Sequence, residues 1–214
     1  LPDGRTILAG GGIPGELGEV RAFSLDGNLQ AVVHQANDVV LDLQLDSNAT
    51  QLAVADADNL ITLYNTTDFS QLQQIDNHSG WVIALAFSPD GKNLASASRD
   101  RTAKIFNLRN GEAISTYGGH KTPVQGVVFR EDGKEVFSTD RTGMIVWDDG
   151  RIIVSDKDFD VQRYTRDANL EQSYDFNHGT TKSILKLPDN RFLIVGHDTG
   201  DGSNDISVTR HLAS

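Results

Sequence analysis

The sequence predicts an all-β chain of short antiparallel strands, and three observations predict it. Composition is the first: 214 residues include 24 Asp against only 6 Glu, together with 20 Gly. Asp and Gly favour tight turns, whereas Glu favours helices. The second is a recurring turn signature. It reads Leu1-Pro2-Asp3-Gly4, Leu45-Asp46-Ser47-Asn48, Ser88-Pro89-Asp90-Gly91, Arg130-Glu131-Asp132-Gly133 and Leu187-Pro188-Asp189-Asn190, with third positions spaced 44, 43, 42 and 57 residues apart. The third is periodicity: no stretch keeps a 3.6-residue apolar repeat, while short apolar runs alternate with Asp, Asn and Gly clusters.

Each period divides the same way. Val82–Phe87 is an apolar strand ending in the Ser88–Gly91 turn. Leu94–Ser98, Ala103–Leu108 and Glu112–Tyr117 follow as strands, parted by turns at Arg99–Thr102 and Arg109–Gly111. A four-stranded antiparallel unit of this size cannot bury both of its faces alone. Units stacked radially cover one another, which is the β-propeller arrangement.

The wording of the repeat then becomes specific. Gly119-His120, Trp147-Asp148 and the Ser/Thr-x-Asp-x-Thr turn between such landmarks resemble the WD40 repeat. The resemblance implies a structural hydrogen-bond network inside the blades at His78, Ser98, Asp100, His120, Thr139 and Trp147, with Phe106 standing where one blade would carry its Trp. It also implies that residues just before the first strand and just after the second strand of each blade face a partner-docking rim: here Trp81, Arg99, Pro123 and Asp140. The text of residues 78–148 is similar to bacterial WD40 regions, some of which lie beside c-type haem domains.

Arithmetic qualifies the architecture. Arg151–Tyr164 aligns without a gap on Gln51–Tyr64, so Arg151 opens the second strand of a blade, whereas Met144–Asp148 reads as the third strand of the blade before. The 57-residue spacing falls short of two periods by about 29 residues, one hairpin's worth. The expectation is a single WD40-like domain over residues 1–214, with parts of six blades from a seven-bladed parent. It is incomplete at both ends and lacks about one hairpin near residues 148–150. Leu1–Gly4 reads as the turn after an absent strand, and Ser183–Leu187, Phe192–Val195 and Asp205–His211 as three strands of a last blade.

Charge and residue types exclude several functions. A net charge of −11 offers nothing to neutralise a run of phosphates, so nucleic acid is not an expected partner. The apolar runs are too short for membrane insertion by a helix. With no cysteine, disulfides, thiolate metal sites and haem attachment within this chain are ruled out. Compartment is left open between cytoplasm and a bacterial periplasmic or exported location.

Motifs that carry chemistry elsewhere read as structural here. His34, His78, His120 and His178 recur before the first strand of a blade, which points to hydrogen bonding rather than metal ligation. His197 and His211 lie on adjacent strands where they approach each other. Asp198–Asp205 is rich in oxygen ligands but departs from the calcium-loop order, and reads as a polar turn. Gly10–Gly18 reads as a flexible hairpin loop, with no helix to complete a phosphate cradle. Asp56 and Asp58, echoed by Asp156 and Asp158, read as turn residues. Three Asn-x-Ser/Thr triplets, at Asn48, Asn65 and Asn77, read as chance. No catalytic residue, metal or cofactor is expected. The expected function is a non-catalytic protein–protein interaction scaffold with protein partners. The alternative is a propeller module of an enzyme or redox assembly, tied to a c-type cytochrome domain or other fused domain outside this segment.

Overall fold

A computed structural model describes residues 1–140 and, beyond them, the backbones of the strands at 143–146, 152–155, 161–164, 170–174, 180–186, 192–197 and 206–211. Every regular element among these residues is a strand. The chain forms two compact units, Leu1–Val136 and Phe137–Ser214.

The first unit begins with a three-stranded sheet of β1 (Thr6–Ile13), β2 (Leu17–Ser24) and β3 (Leu29–Ala36). Two four-stranded antiparallel meanders follow. One is β4 (Val40–Leu45), β5 (Gln51–Asp56), β6 (Leu60–Asn65) and β7 (Gln71–Asp76). The other is β8 (Val82–Phe87), β9 (Asn93–Ser98), β10 (Ala103–Asn107) and β11 (Ala113–Tyr117). β12 (Gly126–Phe129) pairs with β13 (Val136–Thr139) as a two-stranded sheet. In the second unit, β14 (Gly143–Val146), β15 (Ile152–Ser155), β16 (Val161–Tyr164) and β17 (Leu170–Tyr174) form one sheet, and β18 (Thr180–Lys186), β19 (Phe192–His197) and β20 (Ile206–His211) another. The sheets are the blades of an all-β propeller fold.

Turn backbones give the repeat its true phase. Ala49, Gly91 and Gly133 all take left-handed φ values, as do Asn59 and Arg101, and Gly27, Phe69 and Gly111. Within each set the spacing is 42 residues, so Gly91 corresponds to Ala49 and Asp90 to Asn48, one residue from the alignment suggested by the turn signature alone. The aspartates of these turns accept main-chain bonds two residues on: Asp3 from Arg5 at 2.8 Å, Asp90 from Lys92 at 3.1 Å and Asp132 from Lys134 at 3.0 Å. Those bonds keep the Asp3 carboxyl down at about 2, with the Arg5 amide the leading cause.

The core lies between sheets. Val20, Ala22 and Val33 pack on Val40, Leu52, Val54 and Tyr64. The opposite face of the β4–β7 sheet, with Ala53, Ala55, Ile61, Leu63 and Ile75, packs on Val82, Leu85, Leu94 and Phe106. Ala95, Ala97 and Ala103 then pack on Val124, Val127 and Phe129. Asp42 stitches two neighbouring sheets directly, its Oδ2 accepting the Leu85 amide at 2.7 Å.

Three expectations need correction. Gly10–Gly12 is not loop but part of β1, pairing with Gly18–Val20. A Cβ on Gly10 would press on Leu43 at 2.9 Å, so close packing rather than flexibility explains that glycine. Met144–Asp148, expected as a third strand beside β13, has its described part in Gly143–Val146, whose main chain pairs with β15 instead. His197 and His211 do not approach along the ladder: His197 pairs with Ile206 and His211 with Phe192, at opposite ends of β19 and β20. Asp198–Asp205, Asp156, Asp158, His178, Trp147 and the 148–150 link lie outside the described residues.

Candidate functional site

The site grows from the turn between β9 and β10. Asp100 follows a strand rich in small residues, and its carboxylate gathers donors from both sides. Oδ1 accepts the Thr102 amide at 2.9 Å and the Thr102 hydroxyl at 2.6 Å. Oδ2 accepts His78 Nδ1 at 2.8 Å and the Ser79 amide at 3.1 Å. Burial pushes the Asp100 carboxyl up, but the bonds from Thr102 and His78 outweigh it and hold the group well below the usual carboxylate range. His78 is buried, and that burial moves its imidazole below the ordinary value against the pull of Asp100. A neutral ring that donates from Nδ1 must accept at Nε2, where the Ser96 hydroxyl stands 2.7 Å away.

Ser98 does not touch His78. Its Oγ donates to the Gly80 carbonyl at 2.9 Å and accepts the Asp100 amide at 3.1 Å. Gly80 is required there, since a Cβ would lie 2.8 Å from the Asp100 nitrogen. These bonds draw the residue after Gly80 against the residue after Ser98, and the Arg99 amide donates to the Trp81 carbonyl at 2.8 Å. The side chains meet as well: the Arg99 guanidinium carbon lies 4.4 Å above the centroid of the Trp81 ring, and Trp81 is 38% exposed. A cation over an indole at an exposed position contributes about 0.5–1 kcal/mol and limits the rotamers of both groups.

The β4–β7 sheet repeats the main-chain part of this device. Ala57 donates to Val39 at 3.0 Å, and Asp58 accepts the Asn37 amide at 2.9 Å. Its buried network differs. His34 Nδ1 meets the Tyr64 hydroxyl at 2.8 Å, and His34 Nε2 lies 3.6 Å from Asp56 Oδ2. Burial, followed by the Asp56 charge, pushes the Tyr64 hydroxyl up, and the imidazole tautomer of His34 sets which of the two donates. Asp56 and Asp58 thus hold turns, Asp56 by accepting the Leu60 amide at 3.0 Å.

The remaining rim and network residues are placed as follows. Pro123 is half-buried and precedes Val124, whose amide donates to the Ser98 carbonyl at 3.0 Å. Asp140 is exposed directly after β13, as Arg99 follows β9. Thr139 is buried, and His120 meets Tyr117 edge-on at 5.2 Å. Sequence reasoning missed Ser96 and Tyr64; it had expected His34 to be hydrogen-bonded and Asp56 to hold a turn, but not their partnership through Tyr64. The 42-residue phase that joins Ser96 to Ser138 was a usable signal for the first. Among the described residues, no three His, Asp or Glu side chains converge as metal ligands would.

Comparison with known proteins adds two findings. The family described as "WD domain, G-beta repeat" matches residues 69–107, which span the β7–β10 segment built around His78, Trp81, Arg99 and Asp100. A solved structure titled "Crystal Structure of Mitotic Checkpoint Complex" contains a chain that superposes with a TM-score of 0.70 at 15% sequence identity, over 97% of this chain and 80% of that one. No curated protein matches the chain. Repeat sequence and architecture agree: the chain carries a WD40 repeat and has the fold of a WD40 β-propeller.

Proposed function

We propose that this chain is a non-catalytic protein-interaction scaffold, and that it docks protein partners on the rim carrying Trp81, Arg99, Pro123 and Asp140. The observation that supports it is the Trp81–Arg99 pair. An exposed indole and a guanidinium, the side chains most enriched at binding hot spots, are ordered against each other before any partner arrives. Ordering them in advance lowers the entropic cost of binding. Below these positions His78 bonds both Asp100 and Ser96. An overall charge of −11 favours basic or neutral protein surfaces as partners.

The test is quantitative binding to a purified partner identified by cross-linking through the rim. Trp81→Ala and Arg99→Ala should each weaken the complex by about tenfold or more without changing the melting temperature by more than a few degrees. Leu72→Ala, an exposed apolar residue on β7, should leave affinity unchanged. Equal affinity of wild type and the Trp81→Ala, Arg99→Ala double variant would rule the rim out.

A further inference from the structure

Charge is unevenly spread over the first unit, and one end of the β8–β11 sheet departs from the whole. β8 starts, β9 ends, β10 starts and β11 ends at this end of the antiparallel meander, so the connections 77–81, 99–102 and 118–125 all leave the sheet there. Among Lys, Arg, Asp and Glu these connections carry three cations, Arg99, Arg101 and Lys121, and one acid, Asp100. The chain as a whole has the opposite balance, 19 Lys and Arg against 30 Asp and Glu. The equivalent connections of the preceding sheet, 37–39 and 57–59, carry two acids, Asp38 and Asp58, and no Lys or Arg.

The three cations are exposed, and none of them takes part in an ion pair among the described residues. Asp100 is turned inward: its Oδ1 accepts from Thr102 and its Oδ2 from His78 and Ser79. Arg99 and Arg101 stand two apart in one tight turn, where Arg101 has a φ of +68° and donates its amide to the Ser98 carbonyl at 3.1 Å. The guanidinium of Arg99 lies over the Trp81 ring. A guanidinium so placed spends its flat face on the indole and keeps its in-plane N–H groups for a partner.

We propose that this end of the β8–β11 sheet takes an acidic peptide segment of a partner protein, its Asp or Glu carboxylates paired with Arg99, Arg101 and Lys121 and a neighbouring side chain set against the exposed part of Trp81. The inference rests on the docking role proposed above and names the chemistry of the segment that docks. The net charge of −11 acts on the partner as a whole and is screened beyond about 8 Å at physiological salt, so the groups in contact set the sign that a docked segment meets. A carboxylate suits this site better than a phosphate does. Its plane matches the guanidinium fork in two parallel bonds, whereas the second charge of a phosphate is opposed by the acidic remainder of the chain.

Peptide titration followed by NMR tests it, read in the isotope-labelled chain at the side-chain Nε–H of Arg99 and at the indole N–H of Trp81, assigned through Trp81→Phe. The probes are synthetic peptides of alternating Glu and Ala, Gln and Ala, Lys and Ala, and phosphoserine and Ala. The Glu peptide should shift both signals and bind about fivefold or more tightly than the Gln peptide, a preference that fades at high salt. Arg99→Gln and Arg101→Gln should each remove most of that preference. Arg109→Gln, an exposed cation in the turn at the opposite end of the same sheet, should leave it unchanged. Equal binding of the Glu and Gln peptides, or tighter binding of the Lys peptide, overturns the acidic segment while leaving Trp81 a docking point. A preference for Glu that survives both substitutions overturns it, as does binding of the phosphoserine peptide where the Glu peptide is silent. Silence toward every peptide overturns it too, and the affinity of the cross-linked partner for the Trp81→Ala chain then decides the docking role separately.

Discussion

Ala49 holds a φ of +51° at the position where Gly91 and Gly133 hold +69° and +70°. A left-handed backbone costs a residue with a Cβ about 1–2 kcal/mol, and glycine removes that cost at an entropic penalty of about 0.5–1 kcal/mol. Ala49→Gly should therefore stabilise the chain by about 0.5–1 kcal/mol in chemical denaturation. Gly91→Ala should destabilise it by about as much or more. Phe69 is a harder case, since its φ of +57° is tolerated because its ring packs on the Val20–Tyr64 core. The pH dependence is also set by single residues. His78 has a folded value below its ordinary 6.5, so its contribution is full above that pH and is lost as pH falls through the lower folded value. Asp100, depressed as well, loses its contribution only on further acidification below 3.8. Stability followed by urea unfolding should decline as pH falls below 6.5, and His78→Gln should flatten that decline. An unchanged slope in the variant would mean that another group dominates.

Among the elements, Asp42 ties one sheet to the main chain of the next. Burial raises its carboxyl above the usual range despite bonds from the Leu85 and Leu43 amides, which marks a charge held where water is scarce. Asp42→Ala leaves the Leu85 amide without its acceptor and should cost about 1–3 kcal/mol, with faster hydrogen exchange at Leu85 as the local readout. The strands themselves were largely legible: the apolar run Val82–Phe87 is β8, and the expected Leu94–Ser98, Ala103–Leu108 and Glu112–Tyr117 differ from β9, β10 and β11 by one residue at an end. What escaped the reading depended on three-dimensional neighbours. Gly10 looks like a loop residue until Val40 and Leu43 are seen to fill the space of its missing side chain. Ser96 and Ser98 lie two apart on the same face of β9, and only the depth at which the imidazole of His78 arrives selects Ser96.

Across the molecule, stability is a sum of layers between neighbouring sheets. The Val20–Tyr64 layer and the Ala95–Phe129 layer are separated by a third, so they share no side chain. Val54→Ala and Val124→Ala, each at a fully buried position, should cost about 1–3 kcal/mol apiece, and the double variant should match their sum to within about 0.5 kcal/mol. A larger coupling in the measured cycle would mean that strain passes through whole sheets. The proposed docking positions are set apart from this layering. The main-chain bonds from Arg99 to Trp81 and from Ala57 to Val39 involve no side-chain atom, so the backbone at these positions is held alike whichever side chains it carries. Blades can therefore exchange one presented pair for another at little thermodynamic penalty. The rim is free to diversify as an alphabet does, with letters changing on a page whose ruling stays the same.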